Sequence, residues 1–192
     1  MAGKLQAPVA ISTVGHSTHP IEEFIRILEA HGIQRLVDVR TIPRSRRNPQ
    51  FNRENLPASL KAAAIEYQHM PALGGLRRPR ADSINTGWRN ASFRGYADYM
   101  QTPEFRDNLA KLIEIAGAGS TAIMCAEAVP WRCHRSLIAD ALVARGIPVR
   151  EILSATSQRP HELTPFARVE ASEVTYPATG NLELKFDAPP NA

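Results

Sequence analysis

The stretch VAISTVGHSTHPIEEFIRILEAHGIQRLVDVR, residues 9–40, decides the fold class. Its first part is β-branched and apolar and stops at Gly15, the pattern of a buried strand that ends in a turn. In its middle part Ile21, Phe24, Ile25 and Leu28 recur at helical spacing, Pro20 suits a first turn, and Gly32 suits a left-handed stop. From Ile33 the chain is again short, apolar and β-branched. A strand, a helix and a strand joined by short links form a right-handed crossover unit, and such a unit implies a parallel sheet.

The same alternation continues outward. Residues 40–57, RTIPRSRRNPQFNRENLP, are too polar and proline-broken for a regular element, and ASLKAAAIEYQHMPALGG then predicts a helix, a short strand around Glu66 to His69, and a loop. Residues 74–95 carry no period and many turn formers, so they read as a long loop, a feature that is usually functional or disordered. In TPEFRDNLAKLIEIAGAG, Thr102 can cap, Pro103 can sit first, and Phe105, Leu109, Leu112, Ile113 and Ala116 share a face. STAIMCAE is a further strand, CHRSLIADALVARG a helix, and IPVREIL a last strand. The expected fold is a single α/β domain over residues 8–153, a Rossmann-like three-layer sandwich around a mostly parallel sheet. Residues 154–192 read as an irregular extension in which LELKF, residues 182–186, alternates like an edge strand.

Bulk properties narrow the classes. At 192 residues and 43% hydrophobic content the chain suits one core. It has no run of roughly 18 to 20 apolar residues and no apolar leader, so a soluble cytoplasmic protein without a membrane partner is expected. Two cysteines are too few for a disulfide-built scaffold. Of the 23 basic residues behind the net charge of +4, 19 are arginine. A GC-rich genome produces that skew, and so does anion binding, because the guanidinium fork matches phosphate. The clusters Arg40, Arg44, Arg46, Arg47 and Arg53, then Arg77, Arg78 and Arg80, then Arg89 and Arg94, make an anionic partner worth testing.

In an open parallel sheet, ligands bind at the carboxyl ends of the strands. That rule places His16 and Ser17, Asp38 and Arg40, His69 with the Gly74–Gly75 turn, and Cys125 and Glu127 on one rim, with Cys133, His134 and Arg135 opening the next helix. Singly, each has a plain structural reading. His16 suits a hydrogen-bonded core histidine, Asp38 a turn cap or a partner for Arg40, and Cys125 a small buried hydrophobe.

Jointly they allow three functions. The first is an enzyme acting on a phosphate-bearing ligand, a nucleotide or nucleic acid. Cys125, His134, His16, Glu127 and Asp38 would supply acid–base or nucleophilic groups, and Ser17, Arg40, Arg44, Ser45, Gly74, Gly75 and Arg135 would bind the ligand. A thiol facing a helix start gains from the dipole and from nearby arginines, which lower its pKa. The second is a non-catalytic nucleic-acid-binding module, with the arginine loop on phosphates and Trp88, Phe93, Tyr96 or Trp131 stacking on bases. The third is a metal or redox protein using Cys125, Cys133 and His134. Their spacing matches no common zinc motif, and a fourth ligand such as His16 would have to come from afar. The sequence assigns no cofactor.

Taken in order, TVGHSTHPIEEFIRIL, LVDVRTIPRSRRNPQF, YQHMPALGG, FRGYADYM with TPEF, and MCAEAVPWRCHRSLIADAL resemble the domain-of-unknown-function 488 family over roughly residues 12 to 153. The family's pattern is matched at Gly15, His16, Ser17, Asp38, Arg40, Pro43, Ser45, Gly74, Gly75, Cys125, Glu127, Cys133, His134 and Arg135. The resemblance implies the α/β fold and the same rim residues, and it implies no substrate.

Overall fold

The protein is described by a computed structural model covering residues 10–178. Strand β1 (Ile11–Gly15), helix α1 (Ile21–Ala30) and strand β2 (Arg35–Asp38) form the crossover unit that residues 9–40 predict. Helix α2 (Leu56–Ala62) and β3 (Glu66–His69) follow, then α3 (Ala91–Met100), α4 (Pro103–Gly117), β4 (Thr121–Cys125), α5 (Arg135–Val143) and β5 (Val149–Ser154). The chain continues into β6 (Ser157–Pro160) and a hairpin of β7 (Arg168–Glu170) and β8 (Glu173–Thr175).

The main sheet runs β3-β2-β4-β1-β5-β6. Its first five strands are parallel, and β6 returns antiparallel to β5. Central strand β4 is buried at all five positions, as expected when helices cover both faces of a parallel sheet. Along β4, Ala122 and Met124 point to one face, where Phe24 and Leu28 of α1 and Leu56 and Leu60 of α2 pack. Ile123 and Cys125 point to the other, against Tyr96 of α3, Leu109 and Leu112 of α4, and Leu137 and Leu142 of α5. The result is the three-layer α/β sandwich.

Register places the chemistry. Gly15 lies level with Cys125, and Asp38 lies level with both Met124 and His69, so β1 to β4 end together on one edge. Beyond the strand ends the ladder continues into the loops: the His16 amide donates to the Cys125 carbonyl at 3.0 Å and the Ser17 amide to Ala126 at 2.9 Å. The rim loops are therefore anchored by backbone bonds.

One element departs from the periodicity. Helix α3 occupies residues that read partly as loop, and Gly95 within it explains why. Glycine in a helix interior costs roughly 0.5–1 kcal/mol relative to alanine. Here a Cβ would come within 2.6 Å of the Arg77 carbonyl, so the chain trades propensity for close contact with the segment lying over the helix. That segment is ordered by a buried carboxylate: Asp98 accepts from the Arg80 amide, the Ser83 hydroxyl and the Asn85 side-chain amide.

Residues after Ser154 add β6 to the sheet and bury Tyr176, whose hydroxyl donates to Asp140 of α5 at 2.7 Å. LELKF lies outside the described residues. Among the described residues no helix is long and apolar enough to cross a membrane.

Candidate functional site

Two side-chain clusters meet on the rim. The first is built on Asp38, which has no exposed surface. Arg40 clasps it through Nε to Oδ1 at 2.9 Å and Nη2 to Oδ2 at 2.6 Å, the bidentate geometry that suits a guanidinium and a carboxylate. The Arg40 amide and the Tyr67 hydroxyl complete four donors to this carboxylate. Arg40 also donates to the Phe51 carbonyl at 2.7 Å. Burial and then the charge of Asp38 push the Tyr67 phenol well up, so it stays a donor.

His16 sits beside this pair. Its Nδ1 lies 2.8 Å from the Ser17 carbonyl, which requires a proton there, and its Nε2 therefore accepts from Arg40 Nη1 at 3.1 Å. The ring stacks on Phe51 with centroids 4.1 Å apart. Burial first and the Arg40 guanidinium second lower its pKa to about 4, so it is neutral near pH 7. Both ring nitrogens are engaged within the protein.

The second cluster holds the sulfurs. Cys125 ends β4, Cys133 precedes α5, and both are free and buried. His134 Nδ1 lies 3.7 Å from Cys133 Sγ and 4.0 Å from Cys125 Sγ, and the three ligand atoms fall within 4.8 Å of one another. Nε2 donates to the Val39 carbonyl at 3.2 Å, which leaves the lone pair of Nδ1 facing the thiols. Gly75 backs the ring so closely that a Cβ would approach Nδ1 to 2.6 Å. A hydrogen bond from Cys125, then His134 once its Nδ1 has taken a proton, and Arg135 hold the Cys133 thiol well below the usual range; that shared hydrogen and burial hold Cys125 well above it.

Arg135 explains why one thiolate suits this place. Its side chain is fully buried, yet its partners are neutral: Nη2 donates to the Glu127 carbonyl at 2.6 Å and Nη1 reaches Thr13 Oγ1 at 3.4 Å. Its Nε has no partner among the described residues. No carboxylate pairs with it among the described residues. A buried cation is costly unless an anion compensates it, and a thiolate in the adjacent pair would supply one negative charge.

The other predicted residues lie around these clusters. Ser17 adopts a left-handed φ of 47° in the turn after β1. Ser45 is spent on its own loop, its amide donating to Asn52 and its hydroxyl accepting from the Asn48 amide. Gly74 passes too close to Thr41 to carry a Cβ. Glu127 is exposed and uses its backbone, not its carboxylate, to hold Arg135. Arg44 is exposed, and His69 Nε2 lies 2.8 Å from the Arg40 carbonyl. Of the aromatics, Tyr96 is buried with its hydroxyl on Leu73, Trp88 packs on Phe93 and Phe166, and Trp131 is 60% exposed.

A cleft of about 450 Å³ opens onto Cys125, Cys133 and His134, and its wall includes Arg132, exposed and missed by the sequence reading. The signal that could have found it is the short turn Pro130–Arg132, which presents the residue before Cys133 to the rim.

The fold and rim define an α/β protein with a thiol–imidazole cluster where a parallel strand feeds a helix. The model of a family described as Domain of unknown function DUF488 matches residues 20–142, and the chain belongs to that family. The match contains Asp38, Arg40 and the whole sulfur cluster; His16 and Ser17 lie just before it. No curated protein and no solved structure matches the chain.

Proposed function

We propose that the protein is an enzyme that uses its thiol pair on a phosphate-bearing ligand, a nucleotide or nucleic acid. The observation that carries this reading is the packing of two sulfurs and His134 Nδ1 within 4.8 Å, in an open cleft, beside a buried arginine that pairs with no carboxylate among the described residues. Cys133 acts as the nucleophile after its proton passes to His134 Nδ1, and the Cys125 thiol donates a hydrogen bond to the resulting thiolate. Asp38, Arg40 and His16 act as a rigid frame, because Arg40 is already neutralised and both nitrogens of His16 are occupied. Glu127 at the mouth is free for acid–base work on a bound ligand.

The test is turnover and binding with a panel of nucleotides and oligonucleotides. Cys133→Ser and His134→Ala should keep the cooperative unfolding of the parent and lose turnover. Loss of the fold in both variants, or turnover unchanged in either, counts against the reading.

A second reading has its own observation. Cys125, Cys133 and His134 form a soft three-ligand set with an open side, and the Nε2 bond to Val39 orients the imidazole as metal-ligating histidines usually are. His16 is not the fourth ligand, since its nitrogens are engaged. The positive charge of Arg135 nearby opposes a divalent ion. Metal analysis of freshly purified protein decides: close to one zinc per chain favours this reading, and none removes a resident zinc.

A non-catalytic nucleic-acid module has less support, because Tyr96 and Trp88 are committed to internal packing. Two free buried thiols suit a reducing cytoplasmic setting. We take residues 8–153 as the working unit and 154–192 as an accessory, whose Thr164 and Tyr176 bond to Asp140.

A further inference from the structure

Beside the sulfur cleft lies a second cleft of about 460 Å³ that reaches Ser17, Arg44, Ser45 and Asn48. Arg40, Ile42, Ala126, Glu127 and Arg132 line both, so the two are lobes of one depression divided by a shared wall. Their chemistry differs. In the second lobe Arg40 is cancelled by Asp38, whereas Arg44 and Arg132 are exposed and form no ion pair among the described residues. Against these two charges stands the single exposed carboxylate of Glu127. The sulfur lobe instead carries Leu76, 74% exposed, and the half-buried Phe93, with Ile42, 66% exposed, on the wall that both share. Large apolar side chains left open beside converging polar groups are the ordinary make-up of a small-molecule site.

From this division we infer that the depression takes a small phosphomonoester with an apolar group. The phosphate sits between Arg44 and Arg132, and the apolar group covers Ile42 and Leu76 in reach of Cys133. The inference rests on the proposed anionic ligand and adds its size, its two-ended character and Arg132 as a binding residue. Arg132 is suited to this because it borders both lobes, so one guanidinium can grip the phosphate while the rest of the molecule faces the thiols.

Calorimetric titration of the intact chain with phenyl phosphate, inorganic phosphate, phenol and a short single-stranded oligonucleotide tests it. Phenyl phosphate is expected to bind about tenfold or more tightly than inorganic phosphate or phenol. Arg132→Gln, an exposed position, should weaken phenyl phosphate about tenfold and leave phenol unchanged. Leu76→Ser should weaken phenyl phosphate and leave inorganic phosphate unchanged. Equal binding of phenyl phosphate and inorganic phosphate, tighter binding of the oligonucleotide, no binding at all, or an unaffected Arg132→Gln variant overturns it. Alkylation of Cys133 in the same samples separates the two readings. Rapid alkylation without phenyl phosphate binding defeats this inference alone, and slow alkylation defeats the proposed thiol chemistry.

Discussion

Asp38 carries more of the rim than any other side chain, with four donors converging on a carboxylate that has no exposed surface. Removing one partner of a buried pair leaves the other charge uncompensated, a change that typically costs about 3–5 kcal/mol. Asp38→Asn should therefore lower unfolding stability by about 3 kcal/mol in urea titration, and a loss under about 1 kcal/mol would show that Arg40 finds another partner. His16 adds an acid limit. Its folded pKa of about 4 lies below its unfolded value, so the unfolded chain gains protons first and stability falls as pH drops from about 6.5 through 4. The pairing of Asp38 with Arg40 was legible as an alternative in the sequence, since residues two apart on an extended segment share a face. The depth of Arg135 and the exposure of Arg132 were not. Both belong to one short turn and helix start, and periodicity does not tell which of two neighbouring arginines enters the protein.

At the level of elements, the strands and helices that follow a clean period were readable: α1, α4, α5, β1, β2, β4 and β5 all lie where apolar spacing puts them. Helix α3 was not, because Gly95 answers to a tertiary contact and not to local propensity. The segment after β5 is held by a charge network that spacing alone cannot reveal. His161 bridges Asp140 of α5 at 2.9 Å and Glu151 of β5 at 2.8 Å, and Arg159 of β6 pairs with Glu151 at 2.7 Å. Burial alone would pull the His161 pKa down, but hydrogen bonds to Asp140 and Glu151 overcome it and lift the value to about 9. A folded pKa above the unfolded one means that this contribution is complete below about pH 6.5 and is lost as pH rises through 9. Its size is on the order of 3 kcal/mol. The difference in melting temperature between the parent and His161→Gln should shrink as pH rises from 6.5 to 9. A difference that stays constant over that window would mean that His161 is neutral in the fold.

For the whole molecule, strand order turns a scattered set of residues into a site. Four strands ending level bring groups from residue 16 to residue 135 onto one edge, and the crossover from β4 into α5 sets both cysteines and His134 around one cleft. The alternating strand–helix pattern made that edge predictable without any knowledge of strand order, because every parallel strand delivers its carboxyl end to the same side. What the pattern could not supply is the division of the rim: one cluster whose polar atoms bind one another, the other with two thiols around an imidazole nitrogen.

The rate of alkylation of the native protein by iodoacetamide, followed against pH with the modified cysteine identified by mass, tests that division most directly. The account predicts that one equivalent adds rapidly at Cys133, with a midpoint below the ~8.5 of a free thiol, and that His134→Ala or Arg135→Met raises the midpoint. Two cysteines that react slowly and alike, with an ordinary or raised midpoint, would contradict it.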